Sequence, residues 1–177
     1  MRTNELVKLR HWNLNDLDSL VKYANNENIA NNLADAFPKP YMQEDGIAFI
    51  ERAQKDTPTK IFEITFDGNV VGSIGIFPET DIHRKNAAIA YWVAEPFWGR
   101  GIAPAAILKI IRYGFQTFEI DRIFAKPFET SKASHKALEK AGLTLEAILK
   151  KTIFKHGQYL DEFIYGIRRK EFMGDIA

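Results

Sequence analysis

Cysteine is absent from the 177 residues of the chain. This absence excludes disulfide bonds, thiolate metal sites and covalent catalysis by a cysteine. The 24 basic and 23 acidic side chains nearly cancel, which leaves a formal net charge of +1. Binding to nucleic acid requires a strongly basic face, so we expect no nucleic-acid partner.

Long apolar segments are missing as well. No apolar run approaches the ~20 residues that a membrane-spanning helix needs, and residues 1–12 lack the apolar stretch of a signal peptide. We therefore expect a soluble, cytoplasmic protein with no membrane partner. Apolar residues make up 46% of the chain, as in ordinary globular proteins, and the length predicts a single domain over residues 1–177.

The patterns that are present predict strands and helices in succession. Residues 5–12 alternate as a strand does, and apolar residues at helical spacing follow, with Asn13 or Asn15 as N-cap. A second helix around Ile50 precedes two strands that are joined at Asp67-Gly68, a strong hairpin signal. The next segment, AAIAYWVA (87–94), is apolar throughout, which predicts a strand covered on both faces.

The second half of the chain continues this succession. A long helix follows Gly101, then a strand over RIFAKP (122–127), then a helix with Ser131 as N-cap and Gly142 after its last turn. Two final strands meet near His156-Gly157. The order β-α-α-β-β-β-α-β-α-β-β predicts an α/β sandwich around one mixed sheet.

Two glycines flank Arg100 where the apolar strand gives way to the long helix. The first N–H groups of a helix lack intrahelical partners, and small residues let a phosphate oxygen approach them. Gly99, Gly101 and Ala103 meet this need, and Arg100 adds positive charge beside a phosphate. The turn therefore indicates a pyrophosphate site, although glycines at such a junction also serve merely to tighten it.

Two familiar nucleotide motifs do not fit this turn. A P-loop requires G-x-x-x-x-G-K-[ST], which the chain does not contain. A dinucleotide fingerprint needs Gly or Ala where Pro104 stands, and it belongs after the first strand of its domain. A nucleotide-binding protein that uses this turn is therefore a third alternative only.

The residues around the turn resemble the GNAT superfamily of acetyl-CoA-dependent N-acetyltransferases. The family motif is Q/R-x-x-G-x-G/A at the start of the central helix, and residues 98–103 match it with Trp98 in place of Gln/Arg. This tryptophan, preceded by YWVAEPF, resembles the ribosomal-protein N-terminal (RimJ/RimL-type) acetyltransferases. The element order also agrees, and further matches are FPKPY (37–41), SKASHKALEKAGL (131–143) and HGQYLDEFIYGI (156–167).

The resemblance implies a mixed, mostly antiparallel central sheet flanked by helices. It also implies acetyl-CoA as co-substrate and no metal. The central strand would pair with the pantetheine amides, and the turn would hold the pyrophosphate. The residues implied to contact the cofactor are Tyr91, Trp92, Val93, Gly99, Arg100, Gly101, Ile102, Ala103 and Ser131.

The implied reaction is direct attack of an amine on the thioester carbonyl, which benefits from a base. The glutamate that many relatives carry on the central strand is replaced by Ala88. Glu63 and Asp161 are the candidate bases, but Glu63 is better explained as a solvent-facing strand residue, and Asp161 equally as an acceptor for loop amides. Ser134 matches the serine of the family's N-x-x-S and is the candidate acid for the leaving thiolate, or a small residue beside the cofactor.

The acceptor side is expected in residues 31–41 and 78–86. Phe37 and Tyr41 would form its wall, or fill the core beneath it, and His83 would reach it, or be merely exposed. The acceptor is a primary amine, either a protein N-terminus or a small molecule, and the C-terminal hairpin is compatible with a homodimer. Because the sequence departs from the family pattern at the base position, a catalytically weak CoA-binding module is the alternative function.

Overall fold

The computed structural model describes residues 3–174, and its main elements follow the predicted order. The strands are β1 (Val7–His11), β2 (Ile61–Phe66), β3 (Asn69–Pro78), β4 (Asn86–Val93), β5 (Arg122–Ala125), β6 (Thr144–Lys155) and β7 (Gln158–Arg168). The helices are α1 (Thr3–Leu6), α2 (Leu17–Ala24), α3 (Glu27–Ala30), α4 (Gln43–Lys55), α5 (Ile102–Thr117), α6 (Lys132–Lys140) and α7 (Arg169–Gly174).

The strands form one seven-stranded sheet in the order β1-β2-β3-β4-β5-β7-β6. The pairs β1–β2, β2–β3, β5–β7 and β6–β7 are antiparallel, whereas β4 pairs with β5 in parallel. The predicted α/β class, with a mixed and mostly antiparallel sheet flanked by helices, is confirmed.

Both predicted hairpin turns are confirmed. Asp67 and Gly68 have φ values of 50° and 80°, and His156 and Gly157 have 51° and 75°. Positive φ at both central residues defines the type I′ turn, whose twist matches that of the flanking strands.

The structure differs from the sequence prediction at two strands. Residues 3–6 form the short helix α1, so that the first strand begins only at Val7. In β4, burial alternates along the chain: Ala87, Ile89 and Val93 are buried and Ala90 is exposed. The prediction that β4 is covered on both faces is therefore wrong, because small alanine side chains can be exposed at little cost.

Packing divides the described chain into two compact units. The first comprises residues 3–75 and 91–110. Its core joins α2 and α4 to the start of β2 and β3, and its largest members are Trp12, Leu20, Tyr41, Ile50 and Ile61. Asn13 caps a short 3₁₀ turn before α2 by accepting a hydrogen bond from the Asn15 N–H, which confirms one of the two predicted N-caps.

The second unit comprises residues 76–90 and 111–174. Its helix α6 ends in a Schellman motif, in which the N–H groups of Gly142 and Leu143 donate to the carbonyls of Glu139 and Leu138, both at 3.0 Å. Gly142 has φ +88°, a conformation that glycine adopts without strain. The predicted stop at Gly142 is confirmed, whereas the single domain over residues 1–177 stays a prediction.

Arg169 binds the carbonyl end of α5. Its guanidinium donates to the carbonyl oxygens of Phe115 at 2.6 Å, Phe118 at 3.0 Å and Ile120 at 2.7 Å. The same group lies 5.1 Å from the centroid of the Phe115 ring. Because the last carbonyls of a helix lack intrahelical partners, the arginine provides hydrogen bonds where α5 has none of its own.

Candidate active site

The turn before α5 has the backbone conformation that its two glycines make possible. Gly99 and Gly101 have φ values of +75° and +74°, in the region that other residues adopt only at a cost. A Cβ atom at Gly99 would meet nothing within 4 Å, and one at Gly101 would meet only Thr3 Cγ2 at 3.8 Å. The glycines are therefore required by the path of the backbone rather than by crowding within the chain.

This turn presents N–H groups that the chain does not use. Within residues 3–174, no group accepts a hydrogen bond from the N–H of residues 99–103, and the first bond into α5 runs from Ala105 to the Gly101 carbonyl at 3.4 Å. Residues 99–101 are exposed, while Ile102 is buried and anchors the helix start. Five donors thus stand at the positive end of a sixteen-residue helix, which favours an anion.

The segment between β4 and the turn is fixed by side-chain hydrogen bonds. Trp98, which replaces the motif's Gln/Arg, donates from Nε1 to the Val93 carbonyl at 2.6 Å. The Glu95 carboxylate accepts from Asn26 Nδ2 at 2.7 Å and Asn28 Nδ2 at 2.9 Å, and these bonds lower the pKa of Glu95. Glu95 was not predicted from the sequence, because partners so distant along the chain leave no periodic signal.

Strand β4 continues beyond its ladder with β5. The ladder pairs residues Asn86 to Ala88 with Arg122 to Phe124 and ends there, whereas β4 runs on to Val93. On the β3 side, a Cβ at Gly72 would lie 2.3 Å from the Trp92 carbonyl oxygen, so only glycine permits this close approach. The end of β4 is thus held by β3 after its pairing with β5 has ceased.

Glu63 is fully buried, with 0% of its surface exposed. The interpretation as a solvent-facing strand residue is therefore wrong: every residue from Ile61 to Thr65 is buried, because both faces of β2 are covered. The Arg10 guanidinium donates to Oε1, and Oε2 has no hydrogen-bond partner among residues 3–174. Burial raises the pKa of Glu63 to about 7, with Asp16 acting in the same direction and Arg10 opposing it.

Asp161, the other candidate base, is engaged by the neighbouring strand. Its carboxylate accepts from Lys150 Nζ at 2.8 Å and from the Lys151 N–H at 2.9 Å. These two bonds, with the Lys150 bond as the larger cause, lower the pKa of Asp161. Lys151 has φ 54°, so the aspartate stabilises an irregular point of β6. The carboxylate is thus bound by one main-chain amide of β6 and one ammonium group, and a catalytic role for Asp161 stays a prediction.

Ser131 and Ser134 lie at the start of α6. Ser131 occupies the N-cap position, but its hydroxyl does not cap the helix, so the predicted side-chain cap is wrong. Its carbonyl accepts from the N–H groups of Ser134 at 2.9 Å and His135 at 3.1 Å. Ser134 is half-buried in the first turn. The contacts of both serines with the cofactor stay predictions.

A family model described as an acetyltransferase (GNAT) domain matches residues 7–144. The chain belongs to the GNAT family. The SPbeta prophage-derived N-acetyltransferase YokL of Bacillus subtilis is 32% identical over 124 residues, which are 69% of this chain and 68% of that protein. This chain is accordingly an N-acetyltransferase, as the resemblance implied.

Solved GNAT structures share the fold. The microcin C7 self-immunity acetyltransferase MccE, in complex with acetyl-CoA and AMP, superposes with TM-score 0.80 at 28% identity and 94% coverage of both chains. RimL, a ribosomal L7/L12 alpha-N-protein acetyltransferase in complex with coenzyme A, has TM-score 0.80 at 20% identity, covering 92% of this chain and 94% of that chain. The predicted likeness to RimJ/RimL-type enzymes is confirmed.

The residues predicted for the acceptor side of this GNAT protein have different environments. Tyr41 is buried in the core, where burial raises its pKa to about 12, and its ring centroid lies 5.2 Å from that of Phe37. Phe37 is half-buried and also contacts Trp92, at 6.5 Å between centroids. Tyr41 thus fills the core, as the alternative had it. His83 is exposed at the end of a 3₁₀ turn.

Residues 3–174 contain no cluster of His, Cys, Asp or Glu side chains suited to a metal ion. No helix in the same range has the length and apolar character to cross a membrane.

Proposed function

We propose that this GNAT protein transfers the acetyl group of acetyl-CoA directly to a primary amine, and that the turn 99–103 holds the pyrophosphate. The observation that carries the proposal is the row of backbone N–H groups at residues 99–103, from which no group among residues 3–174 accepts a hydrogen bond. Donors of this kind bind phosphate oxygens strongly because the bonds are charge-assisted. Arg100 is exposed beside them and adds a screened attraction.

The end of β4 is proposed to orient the thioester. Its pairing with β5 stops at Ala88, so the backbone around Tyr91, Trp92 and Val93 is suited to bind amides of pantetheine as an added strand would. The amine nitrogen then bonds to the thioester carbon, the C–S bond breaks, and the thiolate accepts a proton. A backbone N–H near Val93 is proposed to stabilise the oxyanion.

Positioning, rather than a carboxylate base, is proposed to provide most of the rate. Glu63 is buried in an ion pair, and Asp161 is bound by two donors. The pH at which the rate is half-maximal should therefore follow the acceptor, near ~8 for an α-amine and near ~10 for a lysine-like amine. Rate profiles with the two kinds of acceptor test this; a common midpoint for both would indicate a base in the enzyme.

Ser134 is proposed to relay a proton: its hydroxyl donates to the leaving thiolate and regains a proton from the ammonium that forms when the amine attacks. Ser134→Ala should lower kcat roughly tenfold to hundredfold and leave the KM for acetyl-CoA nearly unchanged. Ser19→Ala, at a half-buried serine of α2, is the matched control and should retain the normal kcat. Equal kcat values for the two variants would show that Ser134 is only a small residue.

The acceptor is proposed to be a protein N-terminal amine, on the resemblance to ribosomal-protein acetyltransferases. Labelled acetyl-CoA should be turned over with peptides that have free N-termini faster than with a polyamine or an amino sugar. Calorimetric binding of coenzyme A without turnover of any amine would favour the alternative, a catalytically weak CoA-binding module. We also propose a cytoplasmic protein that forms a homodimer, which sedimentation equilibrium tests.

A further inference from the structure

The side chain of Trp98 connects the two segments that are proposed to hold the cofactor. Its indole Nε1 donates to the carbonyl of Val93, the last residue of β4, at 2.6 Å. Its backbone N–H donates to the Glu95 carbonyl at 3.1 Å, and the residue that follows is Gly99, the first of the turn 99–103. The end of β4 and the turn are therefore joined through one residue.

The edge of β4 to which Val93 directs its backbone groups follows from its neighbours. The Ala94 N–H donates to the Val71 carbonyl of β3 at 2.7 Å, and the Trp92 carbonyl oxygen faces Gly72 of β3. Successive residues of a strand direct their N–H and C=O groups to opposite edges, so those of Val93 point away from β3. No strand among residues 3–174 pairs with Val93 on that edge, because the ladder with β5 ends before it.

The indole binds one of the two backbone groups that Val93 directs to this edge. The N–H is the donor proposed for the thioester oxygen, and the C=O beside it carries the opposite partial charge. Without a donor, this carbonyl oxygen would repel the negative charge that develops on the thioester oxygen. It would also accept from an amide of pantetheine and compete with the productive pairing. The bond from Trp98 Nε1 reduces the repulsion and prevents the competition.

We propose that Trp98 is a positioning residue for acetyl transfer: its indole N–H binds the Val93 carbonyl and thereby leaves the Val93 N–H as the group that meets the thioester oxygen. This inference rests on the proposed function, in which that N–H stabilises the oxyanion. It also accounts for a tryptophan where the family motif has Gln or Arg, because all three side chains carry N–H donors. No contact of the indole with the cofactor is required.

Infrared spectra of bound acetyl-CoA, labelled with ¹³C at the thioester carbon, test the donor. A hydrogen bond to the carbonyl oxygen lowers its stretching frequency. The wild-type band should therefore lie below that of Trp98→3-benzothienylalanine, a substitution that keeps the shape of the indole and replaces its N–H by sulfur. Trp98 is 47% exposed, so this variant should fold. Equal band positions in the two proteins overturn the proposal.

Single-turnover rates of acetyl transfer, together with calorimetric dissociation constants, test the consequence. Trp98→Phe should lower the rate roughly fivefold, as expected from one lost hydrogen bond. It should leave the dissociation constant of acetyl-CoA unchanged, because the amides of the turn remain. Trp98→Gln keeps an N–H donor and should recover most of the rate. The matched control is Trp12→Phe, which should have the normal rate, because the buried Nε1 of Trp12 has no hydrogen-bond partner among residues 3–174.

The outcomes separate this inference from the proposed function. A wild-type rate in Trp98→Phe, or a loss of rate that only matches a loss of affinity for acetyl-CoA, overturns the positioning role alone. A wild-type protein that binds acetyl-CoA but acetylates no amine overturns the proposed function, and the positioning role with it.

Discussion

The turn 99–103 and Glu63 belong to the same compact unit, and both leave polar groups unmatched, but in opposite environments. Residues 99–101 of the turn, with their N–H donors, are exposed, whereas Oε2 of Glu63 is buried and has no hydrogen-bond partner among residues 3–174. Solvent or a ligand satisfies an exposed donor, while a buried unmatched acceptor costs about 1–3 kcal/mol. Polar groups without partners are therefore available to a ligand only at the surface. In the interior, a carboxylate oxygen without a partner instead goes with a raised pKa of its group.

The largest expected effect concerns the exposed side of this comparison. Gly101→Asp places an anion among the donors and should weaken acetyl-CoA binding about hundredfold, equivalent to losing one or two charge-assisted hydrogen bonds. Gly68→Asp is the matched control, because Gly68 has φ +80° and is equally free of close contacts. Both variants should have similar melting temperatures. Equal acetyl-CoA affinities, measured by calorimetry, would remove the turn from the binding site.

The buried side of the comparison is tested by pH. The pKa of Glu63 is raised from 4.5 to about 7, so the folded protein binds this proton more tightly than the unfolded chain does. The associated stability is fully present below about pH 4.5 and is lost as the pH rises to about 7. Between about pH 5 and about pH 8, the unfolding free energy of the wild type should fall by roughly 2 kcal/mol more than that of Glu63→Gln.

The control for this experiment is Glu51→Gln, at an exposed glutamate of α4. Urea unfolding of the three proteins at both pH values gives the comparison. Identical pH dependence in wild type and Glu63→Gln would mean that the Arg10 ion pair outweighs burial. In that case the interior of this unit would tolerate a charge as readily as the surface.

The smallest expected effect is at Arg100. Its guanidinium lies 5.3 Å from the Phe97 ring centroid and is exposed, so its attraction for phosphate is screened. Arg100→Ala should weaken acetyl-CoA binding about two- to fivefold, and less so at high salt. Arg52→Ala is the control, because Arg52 lies over Phe49 at a similar 5.4 Å. An effect of Arg100→Ala as large as that of Gly101→Asp would assign the anion site to the side chain instead of the amides.

Features encoded locally were predictable from the sequence. The hairpins at Asp67-Gly68 and His156-Gly157 and the helix stop at Gly142 depend on backbone conformations that a few residue types allow. The glycines of the turn belong to the same class, because their positive φ values serve the backbone path. The backbone conformation that the motif's glycines require is therefore present, while their contact with the cofactor stays a prediction.

Features that depend on distant partners were not predictable. Alternation in β2 places Glu63 opposite Phe62 and Ile64, but it does not reveal that the other face is also covered. The cap of α6 was assigned to Ser131 because its residue type favours capping, whereas the Phe128 carbonyl before the helix lies 2.8 Å from Nε2 of His135. The burial of Glu63 depends on elements packed against β2, and at Ser131 the residue type alone did not predict whether the hydroxyl caps the helix.

The hydrogen bonds from Arg169 to the carbonyls at the C-terminal end of α5 have a consequence for the whole helix. The family match stops at residue 144, yet the carbonyl end of α5 is hydrogen-bonded by Arg169 from the junction of β7 and α7. One end of α5 is thus bound by the protein itself, and the opposite end carries the N–H groups that are proposed to bind the pyrophosphate. Shortening the chain to its matched segment would remove these hydrogen bonds, and we expect the last turn of α5 to fray as a result.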